Sequence, residues 1–348
     1  MITAGVPDDV PYVVSFVVPA VATLLLTPVA ARVAHRVDAL DRPGGHKSHG
    51  TATPYLGGAA VAAGLLVIGA FATGANGELV TILVGALTLA AVGLVDDVRT
   101  VPPSVRLAIE AAAGVSLWFV GARAGVLLTT WVDLPVTVLW VVAVVNAFNL
   151  VDNMDGLAAG VAAPSALGIG SIAAMEGDYL VASLAFAVAG ASVGFLRYNL
   201  PPARIFLGDA GSMLLGFLIA ALTLKLDLQV QPTTARLLAV VLLAGVPLFD
   251  LTLVVCARLL GRRPVWVGGT DHASHRLAEG GRSRMRIAAT FAGAQVACSV
   301  LAIWVYQRPA ATALVTGAIV GVVWLALLVG LLRLPHPTAA RVPAGGHP

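Results

Sequence analysis

Eleven apolar runs, separated by glycine, proline and short polar stretches, divide this chain: residues 10–34, 55–75, 79–95, 104–123, 134–151, 157–175, 179–197, 211–228, 233–258, 287–306 and 310–332. Runs of this kind leave few options. About 20 apolar residues in helical form cross the hydrocarbon core of a bilayer, and lipid offers no partner to an unpaired backbone group, so only helices and closed barrels span it. Hydrophobic residues make up 58% of the chain and charged ones 11%, against about a quarter charged in soluble domains. The pattern predicts an all-α, polytopic membrane bundle of about eleven transmembrane helices. No interval between runs is long enough for a soluble unit, so residues 1–334 read as one membrane-embedded domain and the Pro/Gly/Ala-rich 335–348 as a disordered cytoplasmic tail. The first run lacks a basic leader and a small-residue cleavage site, which makes it a retained span rather than a signal peptide.

Orientation follows from the basic residues, which concentrate in cytoplasmic loops. Of the 21 Lys and Arg, all but Arg123, Lys225, Arg236 and Arg308 fall on the side of the 35–54 loop. The N-terminus is therefore expected outside and the C-terminus in the cytoplasm. A formal net charge of +3 sits mainly in those cytoplasmic loops, which attracts anionic headgroups and anionic substrates; nucleic acid is a poor partner for such a chain. Cys256 and Cys298 lie in or near apolar runs without C-x-x-C spacing, so no disulfide framework is implied.

Against this apolar background the few carboxylates are informative. Ionisable groups at membrane depth cost several kcal/mol and persist where they pair, meet water or do chemistry. Asp96-Asp97 ends the third run; Asn146, Asn149, Asp152, Asn153 and Asp155 end the fifth; Gly208-Asp209-Ala210-Gly211-Ser212 opens the eighth; Asp250 lies in the ninth, followed by Asp271-His272-Ala273-Ser274-His275-Arg276 in the largest cytoplasmic loop. In the predicted orientation all can face the cytoplasm, as a water-facing, metal-compatible site would require. Adjacent carboxylates such as Asp96 and Asp97 can hold Mg²⁺ directly or through its waters, or share a proton; equally, they can be interfacial acids paired with Arg99 or Arg106. Helical spacing puts Asn146, Asn149 and Asp152 or Asn153 on one stripe, either a site or polar glue between helices. Asp209 is the best single candidate for a hard-metal ligand, or a simple helix cap. In the loop between the first two runs, Lys47 can act as a point charge for phosphate and the glycines let backbone N–H groups approach one, although a positive-inside loop would also carry a lysine. His272 and His275 lack the Cys/His complement of a closed zinc site and, with Arg276, suit an anionic diphosphate better. For Asp250 and Glu110 a structural role is at least as good a reading as a catalytic one.

In this order the segments resemble the polyprenyl-phosphate N-acetylhexosamine-1-phosphate transferase superfamily, over about residues 40 to 280. The most specific pieces are Asn146 to Leu157, Phe206 to Ser212, and the loop with Lys47, His49, Pro54 and Gly57-Gly58. The resemblance implies transfer of a sugar-1-phosphate, most often N-acetylglucosamine-1-phosphate, from a UDP-sugar to a polyprenyl phosphate, with Mg²⁺ (or Mn²⁺) and release of UMP. It implies a multi-pass enzyme of the bacterial plasma membrane, with a cytoplasmic active site, that starts lipid-linked glycan synthesis, often as a homodimer. By the same resemblance Asp209 and Asp97 hold the metal, and Asp96 or Asp97 orients or deprotonates the lipid phosphate. Lys47 and His49 belong to the phosphate-binding loop, Asn149, Asp152 and Asp155 place nucleotide and metal, and His272, His275 and Arg276 clamp the diphosphate and sugar. Phospho-MurNAc-pentapeptide transferases carry three adjacent histidines where this chain has His272-Ala273-Ser274-His275, which points to the N-acetylglucosamine branch. Ser274 and Asn153 depart from the usual pattern, where His and Gly are common, and leave the sugar open. Two other classes fit less well: a secondary transporter predicts an inverted repeat and deeper charges, and an intramembrane aspartyl protease needs glycine where Phe206 stands.

Overall fold

The computed structural model describes residues 10–42, 52–69, 77–125, 130–226, 233–266 and 269–334. Thirteen helices and one two-stranded ribbon are present among them: α1 (Val10–Arg36), β1 (Leu40–Asp41), β2 (Thr53–Pro54), α2 (Gly57–Gly69), α3 (Gly77–Val98), α4 (Pro103–Phe119), α5 (Thr130–Val151), α6 (Leu157–Glu176), α7 (Tyr179–Asn199), α8 (Gly208–Lys225), α9 (Thr233–Leu243), α10 (Gly245–Leu260), α11 (Ala273–Glu279), α12 (Arg284–Tyr306) and α13 (Ala310–Arg333). Eight of the helices are long and apolar enough to cross a membrane, nine spans if the bent pair α9 and α10 counts as one. The residues assigned from the sequence to a tail, 335–348, lie outside the described residues.

Burial sorts the helices into layers. The most hydrophobic stretches of α6 and α8 are 83% buried and form the centre, whereas that of α13 is 0% buried and presents its Leu, Val and Ile side chains outward. Helix starts follow local chemistry: Pro103 opens α4, where a missing N–H costs nothing, Asp178 accepts the Val181 N–H at 3.0 Å to cap α7, and Ser283 caps α12 through Arg286 N–H.

Among the described residues three apolar runs differ from their sequence reading: α2 and α4, of 13 and 17 residues, are shorter than a full span, and the run 233–258 is broken. Residues 233–258 are not one continuous helix; α9 and α10 meet at a 75° bend. A break inside a bundle frees backbone groups that must find partners. Gln295 of α12 supplies them: its Nε2 donates to the carbonyls of Leu242 and Leu243, both at 3.1 Å, and its Oε1 accepts the Val246 N–H at 2.9 Å.

The functional end is assembled from helix termini. The C-terminal ends of α3, α5 and α7 meet the N-terminal ends of α6 and α8 there. The ribbon pairs antiparallel, with Leu40 opposite Pro54 and Asp41 opposite Thr53. The chain then runs alongside 206–207, where Gly57 N–H donates to Phe206 O at 3.1 Å and Gly58 N–H to Leu207 O at 2.8 Å.

Candidate active site

A cavity of about 530 Å³ opens at this end, lined by residues that include Asp41, Tyr55, Asp97, Asp152, Asp155, Asp209, His275 and Arg284. Its floor is built by glycines. A Cβ on Gly93 of α3 would lie 2.3 Å from the Asp209 carbonyl oxygen, and one on Gly58 of α2 would lie 2.2 Å from Gly211 N. Only hydrogen at those positions lets α2 and α3 close on the first turn of α8. That approach delivers Asp97 to the helix end: its two oxygens accept the N–H groups of Asp209 at 2.8 Å and Ala210 at 3.2 Å, donors that have no partner within α8. Gly208 turns the chain into α8 at φ +72, and a Cβ there would sit 2.7 Å from Asp97 Oδ2.

Asp96 does not line the cavity, although it lies beside Asp209. Its Oδ1 accepts Val101 N–H at 2.6 Å, its Oδ2 pairs with Arg106 Nη1 at 2.5 Å, and its side chain is 8% exposed. Arg106 in turn donates to Asn149 Oδ1 at 2.9 Å and stands 3.5 Å from Asp209 Oδ2. This fixes the Asn149 amide, since its oxygen faces Arg106 and its nitrogen donates to Asp209 Oδ1 at 2.8 Å and Ser212 Oγ at 3.1 Å. One turn deeper, Asn146 Nδ2 donates to Glu110 at 2.5 Å, which supports the structural reading of that acid.

Asp152 lines the cavity. Burial, then the charges of Asp209, Asp97 and Asp155, push its carboxyl well above the usual range. Asp155 accepts Ala203 N–H at 3.1 Å, and Arg284 lies 3.7 Å from the same oxygen. Asn199 was not foreseen: it accepts Gly156 N–H and donates to Ile205 O, both at 3.0 Å, tying the 152–156 turn to the 200–206 segment. A polar residue ending an apolar run just before Leu200-Pro201-Pro202 was the available signal.

The histidine loop divides into supports and one lining group. His272 is buried and its Nδ1 pairs with Asp250 at 2.8 Å, while Asp250 also accepts Ala273 N–H at 2.8 Å. His275 reaches the cavity; burial, then the adjacent His272, hold its pKa below the ordinary value. Arg276 does not line the cavity. It is buried and donates to the carbonyls of Asp271 at 3.0 Å, Leu331 at 2.9 Å and Leu334 at 3.3 Å, fastening α11 to the end of α13. Ser274 donates to Asn153 Oδ1 at 2.5 Å, so the two positions that depart from the resembled pattern touch each other. Lys47 and His49 lie outside the described residues.

Among the described residues no three His, Cys, Asp or Glu side chains are grouped closely enough to hold an ion by themselves. Mg²⁺ keeps several waters and takes one or two carboxylates together with substrate phosphate. Asp97 and Asp209 supply hard oxygens at the cavity wall, and each carboxylate oxygen that accepts one N–H retains a further lone pair.

Residues 79–227 match the model for glycosyl transferase family 4. The chain is 35% identical over 279 residues to a probable undecaprenyl-phosphate N-acetylglucosaminyl 1-phosphate transferase of Bacillus subtilis, covering 76% of each chain. It is 31% identical over 264 residues to the undecaprenyl-phosphate alpha-N-acetylglucosaminyl 1-phosphate transferase of Thermotoga maritima, covering 74% of this chain and 78% of that one. A phospho-N-acetylmuramoyl-pentapeptide-transferase of Moorella thermoacetica is 33% identical over 278 residues, covering 71% of this chain and 84% of the other.

Proposed function

This chain belongs to glycosyl transferase family 4, the polyprenyl-phosphate N-acetylhexosamine-1-phosphate transferases, and on that premise we propose that it transfers N-acetylglucosamine-1-phosphate from UDP-N-acetylglucosamine to a polyprenyl phosphate, releasing UMP. The observation that carries the reading is the meeting of Asp97 and Asp209 at an acid-lined cavity. A phosphate oxygen of the lipid attacks the sugar-linked phosphorus, a new P–O bond forms, and the bond to UMP breaks. Such transfers ask the protein mainly for positioning and charge neutralisation. Asp209, with Asp97 beside it, would hold Mg²⁺, which supplies charge neutralisation to the diphosphate. Asp97 also orients the lipid phosphate, Asn149 fixes Asp209, and Asp152 and Asp155 shape the nucleotide end. Asp96 acts through Arg106 rather than on substrate. The loop with Lys47 and His49 contributes a phosphate contact. The interrupted histidine run, His272-Ala273-Ser274-His275, favours N-acetylglucosamine over the MurNAc-pentapeptide donor.

The enzyme lies in the bacterial plasma membrane with eleven spans, its N-terminus outside and its C-terminus and active site cytoplasmic, which the distribution of Lys and Arg supports. It acts as a homodimer, a reading that rests on the family resemblance alone. The test is UMP release by purified protein in detergent with Mg²⁺ and polyprenyl phosphate, offering UDP-GlcNAc, UDP-GalNAc and UDP-MurNAc-pentapeptide in parallel. Asp209→Asn should abolish release while the protein stays folded; normal turnover in a folded variant refutes the assignment.

A further inference from the structure

The cavity is strongly acidic for a site that must take a diphosphate. Asp41, Asp97, Asp152, Asp155 and Asp209 all line it, and a metal held at the Asp97 and Asp209 side offsets only that side. The arginines of the cytoplasmic loop are mostly engaged in holding the loop itself. Arg258 and Arg263 pair with the buried Asp271 at 3.3 and 2.6 Å, and Arg276 is bound to three carbonyls. Arg106 lies behind the floor, between Asp96, Asn149 and Asp209. Arg284 differs, because it lines the cavity and its side chain is 36% exposed. It is the first residue of α12, set in place by the Ser283 cap after the turn at Gly280-Gly281. Asp155, itself fixed by Ala203 N–H, stands 3.7 Å from the guanidinium. His275 of α11 lines the same cavity.

We infer that Arg284 binds the diphosphate of the sugar-nucleotide donor, with Asp155 as its positioning partner and His275 beside it. This deepens the functional reading above and rests on it. A guanidinium offers planar paired donors that match two phosphate oxygens, and it keeps its charge when partly desolvated. The N-terminal end of α12 adds positive potential on the same side. His275, whose pKa is held below the ordinary value by burial, then by His272, can donate from one ring nitrogen to the same diphosphate. The donor's diphosphate would thus lie between the carboxylates of the floor and the arginine of the rim, its two ends neutralised from opposite sides.

The experiment is calorimetric binding to the full chain in detergent micelles, with Mg²⁺ and without polyprenyl phosphate, using UDP-GlcNAc, UDP and uridine as probes. Arg284→Ala should weaken UDP-GlcNAc and UDP roughly 10- to 100-fold, as expected for a lost charge-assisted contact, and leave uridine within about twofold. Arg284→Lys should recover part of the loss, because it keeps the charge but not the paired geometry. Thermal unfolding of each variant checks that it is folded. Equal weakening of all three probes, or no weakening of any in folded Arg284→Ala protein, overturns the inference. Wild-type protein that binds no UDP-sugar and releases no UMP would instead sink the functional reading on which it rests.

Discussion

Replacing Arg106 by methionine separates the roles of the two adjacent aspartates. Arg106 is 17% exposed and Asp96 8%, so the substitution strands a largely buried carboxylate whose remaining partner is the Val101 N–H. Removing one member of a buried pair costs about 3–5 kcal/mol; with that residual bond and partial access to water, a loss of about 2–3 kcal/mol of stability is expected. The effect on catalysis follows a different route. Asn149 loses the donor that fixes its amide, and Asp209 loses both a cation at 3.5 Å and a reliable N–H partner. A hydrogen bond to a charged group is worth about 1.5–3 kcal/mol, which is about 10- to 100-fold in kcat/KM. Adding Asp96→Asn removes the stranded charge, so the double variant should regain at least about 1 kcal/mol of the lost stability. Denaturation in detergent and UMP release, measured on both single variants and the double, complete the cycle. If the two stability effects add to within about 0.5 kcal/mol, the ion pair is not what organises this wall. If the double variant is far less active than Arg106→Met although its stability has recovered, Asp96 acts on substrate directly.

Two further outcomes follow from the geometry. His275 is held below its ordinary pKa by burial, then by His272, whereas a bound diphosphate favours its charged form; donor affinity should therefore rise as pH falls below the ordinary imidazole range of about 6.5, and His275→Asn should flatten that slope in binding titrations. Gln295→Leu leaves the carbonyls of Leu242 and Leu243 and the Val246 N–H without their side-chain partner, so unfolding in detergent should show a loss of at least about 2 kcal/mol; unchanged stability would mean that the bend satisfies itself.

What the sequence reveals here, and what it hides, divides along physical lines. The membrane-spanning helices were legible because long apolar runs have one solution in lipid, and the acidic clusters were legible because charge is so scarce between them. The bend between α9 and α10 was not, since Ala244-Gly245 looks like any small pair inside a span and its partner, Gln295, lies 49 residues beyond Val246. The choice between Asp96 and Asp97 was equally out of reach. Consecutive side chains on a helix diverge by about 100°, so the two acids cannot make the same contacts, and the approach of α8 decides which of them caps its first turn. Gly93 lets the first turn of α8 come close enough for Asp97 to accept its N–H groups, while Asp96 pairs with Arg106. The same divergence explains the arginines. Arg276 follows His275 directly, and for that reason it turns toward Leu331 and Leu334 when His275 faces the cavity. Among the described residues, the arginine that lines the cavity is Arg284, beyond a turn whose direction no local pattern announces. Motifs thus identified the polypeptide segments that converge, whereas the packing of the helix ends selected which side chains in each segment line the cavity.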